Sequence, residues 1–322
     1  TQGVSSAASD VYKRQGMHYA SKVFLFLLFF FYGAKLAPRE TLLGLKNWRL
    51  HAVIFCFTFI LFPIIGVGLK YATIGWLGQG LALGLLYLTL VPGTVQSSIA
   101  FTSVAHGNVA GAIVASSLSN ILGVFLTPLL VMLTMATTGD VHITGRSILD
   151  IFLQILLPFI IGQLLHKYLG PGLNRHPILT KTVDRGTIWI NVYTAFSQAV
   201  VEGVWMRVTA LHLLALVGIC IAVVSLVLVL SWCMAKGLGF NREDCIAAQF
   251  CGSKKSLSSG IAMGAVLFAG STGELSAGIL MLPLMLFHLF QLLICAVLAG
   301  RYGRQWEREH THAHANDQGA AQ

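Results

Sequence analysis

Nine apolar runs follow one another along this chain with only short connections: 18–37, 48–69, 77–104, 108–135, 147–168, 184–205, 211–235, 243–269 and 275–300. About 20 apolar residues carry a helix across the hydrocarbon core of a bilayer. No water satisfies backbone groups inside that core, so spans of this length are helices. The chain reads as an all-α polytopic membrane protein with no inserted soluble domain. Composition agrees, because only 10% of the residues are charged, against about 25% in a soluble domain. The net charge of +9 does not point to nucleic acid. Its basic residues sit at the ends of apolar runs, as loop charge facing one leaflet. Six cysteines, Cys56, Cys220, Cys233, Cys245, Cys251 and Cys295, lie in or beside the runs with no CxxC pair. They read as small buried hydrophobes rather than as disulfides or a metal site.

Residues 1–16 are polar, lack the apolar stretch of a signal peptide, and are expected to be non-native or disordered. SSAASDVYKRQ within them resembles translated adapter read-through. Residues 17–305 form a single transmembrane domain, and 306–322 are expected as a polar, disordered tail. Loops after odd-numbered runs, with that tail, hold thirteen basic residues, among them Lys35, Lys46, Lys181 and Arg242. Loops after even-numbered runs hold Lys70, Arg146 and Arg207. The asymmetry puts the C-terminus in the cytoplasm. Nine spans would then leave Lys13, Arg14 and Lys22 on the wrong side. One further span upstream removes the conflict, so the expectation is ten spans with the first absent here.

Ten spans divide into two halves of five that insert with opposite orientation, the plan of many secondary transporters. Interrupted spans at matching places in the two halves point to the binding site. The fourth of the ten spans holds Pro92-Gly93-Thr94-Val95-Gln96-Ser97-Ser98, and the ninth holds Gly252-Ser253-Lys254-Lys255-Ser256-Leu257-Ser258-Ser259-Gly260. The following helices also correspond: Ser97 to Pro128 is 31 residues and Ser256 to Pro283 is 27. Each lysine in mid-membrane costs roughly 2.5–3.5 kcal/mol on insertion scales, so the pair needs partners. The candidate substrate or ion site is Gln96, Ser97, Ser98, Ser116, Ser117, Asn120, Ser253, Lys254, Lys255, Ser256, Ser258 and Ser259. Broken helices expose carbonyls to cations and N-termini to anions. Tyr193, Ser197, Gln198 and Glu202 on the seventh span, and His288 with Gln291 on the tenth, are further polar groups near span interiors.

These residues carry a resemblance. WRLH at 48–51, TVQSSIAFTS at 94–103, GNVA at 107–110, YTAFS at 193–197 and CGSKKSLSSGIAM at 251–263 resemble the bile acid:sodium symporter family. The likeness covers about 18–305. It is nearest to a divergent bacterial subgroup of sodium-dependent transporters, similar to the outlying seventh member of animal solute carrier family 10. The resemblance implies ten helices, with the fourth and ninth broken and crossing. It also implies a core of helices three to five and eight to ten that rocks against a panel of the others. In typical members two sodium ions sit behind the crossing, which would make Ser97, Ser98, Ser116 and Ser253 the sodium ligands here. The departures are specific. The family's glutamate position on the ninth helix is Ser253, its glutamine is Leu257, one hydroxyl position on the fifth is Ala112, and two small positions are Lys254 and Lys255. A cation beside two lysines is disfavoured by Coulomb's law unless an anion compensates.

The expectation is a symporter-like secondary transporter of an organic anion, working by alternating access. Lys254 or Lys255 would pair with substrate or stand as a tethered cation in a former sodium site. No cofactor is expected beyond sodium or a proton as coupling ion. The expected partners are the lipid bilayer and a small organic anion, without nucleic acid. The location expected is a bacterial inner membrane. A second reading is a non-transporting regulator of calcium homeostasis. A Ser/Lys hydrolase is disfavoured, because the Ser–Lys spacing is not SxxK and no oxyanion hole is evident.

Overall fold

The computed structural model describes residues 2–35, 47–136, 149, 152–201, 208–269, 271 and 275–320. Its elements are α1 (Gln2–Lys35), α2 (Trp48–Leu77), α3 (Gln79–Leu90), α4 (Gln96–Val104), α5 (Val109–Val131), α6 (Leu157–Leu164), α7 (His166–Arg175), α8 (Pro177–Val201), α9 (Ala210–Gly237), α10 (Arg242–Gly252), α11 (Leu257–Leu267) and α12 (Ala277–Ala320). Helices α2 and α9, with Val109–Met135 and Ala277–Glu309, are long and apolar enough to cross a membrane unbroken. Two further crossings are made in halves, α3 with α4 and α10 with α11. Their pieces of 12, 9, 11 and 11 residues reach roughly 14–18 Å each at 1.5 Å per residue. That is about half of a ~30 Å hydrocarbon core, so all four inner ends meet near mid-membrane.

Local chemistry makes the breaks. Pro92 has no N–H and drives the residue before it out of the helical region, and Val91 is extended at φ −77°, ψ 155°. Ser256 is extended at φ −80°, ψ 119°, and its Oγ accepts from Ser259 N to cap α11. The two halves also match at their entry turns. Gly78 before α3 (φ 86°) and Gly239 before α10 (φ 77°) occupy the region that favours glycine. Pro128 lies inside α5 and Pro283 inside α12.

The helices form two bundles. One is α1, α6, α7 and α8; the other holds the remaining helices, with the breaks at its centre. In the first, α1 and α6 touch backbone to backbone. A Cβ on Gly33 would lie 2.1 Å from Phe159 O, and one on Gly162 would lie 2.1 Å from Phe30 O. Small residues permit this approach, which replaces the hydrophobic driving force that lipid removes. In the second bundle Asp244 gathers three helix starts. Its carboxylate accepts from Asn47 at the head of α2 (3.0 Å) and from Asn108, the N-cap of α5 (2.6 Å), while Asp244 itself lies in the first turn of α10. The positive ends of three helix dipoles thus share one carboxylate.

Residues 2–16 and 306–320, set apart in the sequence as expected irregular segments, continue α1 and α12 as helix. Glu202, Arg39, Lys46, Arg146 and Arg207 lie outside the described residues.

Candidate functional site

The two breaks cross in direct contact. Ser256 N donates to Pro92 O at 2.8 Å. Gly93 N donates to Ser119 Oγ at 3.1 Å, and Asn120 Nδ2 donates to Gly93 O at 2.9 Å. Asn120 Oδ1 accepts from Ser259 Oγ at 3.0 Å, so one side chain on α5 ties both breaks together. On the other side, Thr94 Oγ1 lies 2.6 Å from Ser97 Oγ and 3.2 Å from Ser98 Oγ, and Ser98 Oγ donates to Phe250 O at 3.2 Å. Ser116 Oγ approaches Cys251 Sγ at 3.6 Å. Hydroxyls and one amide supply the partners that unwound backbone lacks, as burial in protein requires.

The adjacent lysines point apart. Both are completely buried. Lys254 Nζ donates to Ser97 O at 2.8 Å and sits 3.8 Å from the centre of the Phe101 ring and 5.4 Å from that of Phe250. Lys255 Nζ donates to three carbonyls, Thr58 O at 2.9 Å, Thr89 O at 2.8 Å and Val91 O at 2.9 Å, with the Phe62 ring centre 4.2 Å away. All three ammonium hydrogens of Lys255 therefore have an acceptor. Thr89 and Val91 flank the C-terminal end of α3, the negative pole of its dipole. Thr58 O is free for a local reason. Residues Phe57–Leu61 form a π-helical turn in which Phe62 N donates to Phe57 O, and Pro63 has no N–H to offer one residue later. The Lys255 backbone is clamped by Gln291, which accepts from Lys255 N at 2.9 Å and donates to Lys255 O at 2.8 Å. His288 Nδ1 lies 2.7 Å from Gln291 Nε2.

A cavity of about 640 Å³ lies between the two bundles. Its inner wall is the crossing, through Thr94, Gln96, Ser97, Ser117, Asn120, Ser256 and Ser258, with His288 beside them. Its opposite wall is Leu28, Phe31 and Tyr32 of α1, Phe159 of α6, and Asp184 with Ile188 of α8. It extends to Lys35, Thr180 and Lys181, at the end of α1 and the first turns of α8. Tyr32 Oη donates to Asp184 Oδ1 at 3.1 Å and lies 3.4 Å from Ser258 Oγ, a polar bridge between the bundles. Lys35 Nζ donates to Thr180 Oγ1 at 3.3 Å.

Of the residues singled out in the sequence, Gln96, Ser97, Ser117, Asn120, Ser256 and Ser258 line the cavity. Ser98, Ser116, Ser253, Lys254, Lys255 and Ser259 pack behind it as buried groups. Ser253 Oγ is buried with no hydrogen-bond partner among the described residues. The lysines, for which the sequence leaves open a substrate anion or the place of a tethered cation, turn to backbone carbonyls and aromatic rings. Tyr193 is 61% exposed and faces outward on α8, away from the crossing. Sequence reasoning missed Tyr32, Lys35, Thr180, Lys181 and Asp184. Its span began at 184, so it placed Asp184 at a membrane edge, whereas α8 begins at Pro177 and holds Asp184 two turns inside.

Two bundles, a central crossing of broken helices and a cavity between them are the architecture of many secondary transporters. Residues 6–304 match the SBF-like CPA transporter family. The chain belongs to that family. It is 48% identical over 279 residues to "Uncharacterized protein PA2026" of Pseudomonas aeruginosa, covering 87% of this chain and 83% of that one. It is 45% identical over 285 residues to "Putative symporter YfeH" of Escherichia coli K12, covering 88% and 83%. It is 28% identical over 273 residues to "Sodium/bile acid cotransporter 7" of Xenopus tropicalis, covering 84% and 78%. The named relatives are transporters, not enzymes.

Proposed function

We propose that this transporter moves a small organic anion through the cavity between its bundles. The observation that carries the reading is the set of positive groups around that cavity, set against the carboxylate of Asp184, which accepts from Tyr32. The first turns of α4 and α11 face it through Gln96, Ser97, Leu257 and Ser258, and Lys35 and Lys181 stand at its far end. Helix N-termini present free N–H groups and positive dipole ends, which suit carboxylate, sulfate or phosphate. The negative end of α3 is covered by Lys255 instead of facing the cavity. The apolar wall of Leu28, Phe31, Phe159 and Ile188 would hold the organic part of such an anion. Lys35 and Lys181 belong to the lysine-rich side, which the positive-inside rule assigns to the cytoplasm together with the C-terminus. The described state is then inward-facing, in a bacterial inner membrane. Transport would proceed by rocking of α1, α6 and α8 against the crossing, with Tyr32, Asp184 and Ser258 at the moving contact.

The test is uptake of radiolabelled organic anions by proteoliposomes under imposed ion gradients. Lys35→Gln and Lys181→Gln should each raise KM about five-fold with little change in the maximal rate. That corresponds to loss of about 1 kcal/mol of screened attraction in a solvent-filled site. Folded protein that accumulates no anion under any gradient would overturn the reading and favour a regulatory role.

A further inference from the structure

Lys255 Nζ is held as a bound ion is held. Three backbone carbonyls converge on it at 2.8–2.9 Å, from two helices. An aromatic face closes a fourth side at 4.2 Å. No carboxylate among the described residues takes part, and the side chain is fully buried. Carbonyl groups arranged in this way replace the hydration shell of a monovalent cation. The cage is also built independently of the lysine. Pro63 and the π-helical turn release Thr58 O, and the break after Leu90 releases the carbonyls at the end of α3. The lysine reaches the cage from outside, from the break between α10 and α11. Its backbone is fixed there by Gln291, whose amide makes both bonds to it.

We propose that this cage is a monovalent-cation site occupied permanently by the Lys255 ammonium, so that the protein carries its own cation here and draws none from solution. The tethered charge joins the broken α10/α11 helix to α2 and α3 in every cycle. A dissociable ion would make that joint depend on an ion gradient. The consequence for coupling rests on the transporter reading above. Occupancy of the cage does not, and the experiment reads occupancy without any transported substrate.

The test is thermal unfolding of the purified protein in lipid nanodiscs, at constant ionic strength, in the chlorides of choline, sodium, potassium, ammonium, methylammonium and tetramethylammonium. Lys255→Ala leaves the three carbonyls facing a space of side-chain size. Its midpoint in choline should lie below wild type. It should rise by roughly a few degrees in ammonium or methylammonium, as expected for a ligand that binds only the folded state. Tetramethylammonium, too large for the cage, should give no rise. Lys255→Met fills the space with a neutral side chain and should respond to no cation. Wild type should respond to none either. Should Lys255→Ala be too unstable to purify in choline, the yield of monodisperse protein from membranes solubilised in each salt gives the same readout, with recovery expected in methylammonium. Equal midpoints or equal yields of Lys255→Ala in all salts would overturn the proposal. So would a rise in wild type matching that of the variant, because a filled cage cannot bind a second ion.

Discussion

Asn120 offers the sharpest test of how the crossing is held. Its amide donates to Gly93 O in one break, and its carbonyl accepts from Ser259 Oγ beside the other. Asn120→Ala removes both links. Gly93 O belongs to unwound backbone and has no helical donor to fall back on. Stranding a buried carbonyl costs about 1–3 kcal/mol, and losing the hydroxyl bond costs about 0.5–1.5 kcal/mol. Ser259 retains Ser256 as a partner at 3.1 Å, which favours the low end of the second figure. The sum is about 2–4 kcal/mol, and the unfolding midpoint should fall by roughly 3–6 °C for a chain of this size. Asn120→Asp separates the two links. An ionised carboxylate still accepts from Ser259 but faces Gly93 O with no proton, so it should be worse than alanine at neutral pH. A protonated Asp donates as the amide did, so the variant should recover on acidification and weaken again as pH rises. Intrinsic tryptophan fluorescence of nanodisc-embedded protein, scanned at one fixed rate, reads both effects. If Asn120→Ala unfolded within about 1 °C of wild type, or the Asp variant showed no dependence on pH, the crossing would not be held by this side chain.

Other expectations follow from other contacts. Gly33→Ala and Gly162→Ala should each prevent α1 and α6 from touching, because the added Cβ would lie 2.1 Å from a backbone oxygen that cannot move away. Loss of folded protein on size-exclusion chromatography is the measurement. Asp244→Ala should lower stability by about 2–4 kcal/mol, since it removes two hydrogen bonds to a charged acceptor and the shared partner of three helix starts. Asp244→Asn should lose less, as seen in denaturant titration of the nanodisc protein. Tyr32→Phe and Asp184→Ala should lower the maximal uptake rate about ten-fold or more and leave folded yield unchanged, because they cut the bridge at the moving contact. A change confined to KM would mean that these groups bind substrate instead.

Much of the architecture was legible in one dimension. Pro92-Gly93 and the glycine- and serine-rich stretch at 252–260 announce two breaks, and the chain breaks there, at Val91–Val95 and Ser253–Ser256. Legibility ended where a contact depends on two distant pieces of backbone. Nothing in the run FTFILFP says that Thr58 O will be free and aimed at a lysine nearly 200 residues later. Asp184 is the first residue of the apolar run at 184–205, and one dimension does not distinguish it from loop charge. Only the position of Pro177 as the start of α8, and the approach of Tyr32 from α1, turn it into an interior group. Asp244 was equally hidden, since its partners Asn47 and Asn108 belong to other helices.

What the sequence by itself determined was that the chain is helical, spans a membrane many times and is broken twice at matching places. The physical reason is local: hydrocarbon leaves a backbone no partner but itself, and proline, glycine and serine interrupt that pairing wherever they fall. What only the tertiary structure decided was the work of the two lysines. Lys254 and Lys255 are neighbours with the same charge and the same long, flexible stem. One turns to Ser97 O and the Phe101 ring, the other to Thr58, Thr89 and Val91. An ammonium buried away from water must find acceptors, and which acceptors lie within reach at the crossing depends on how four helix ends meet there.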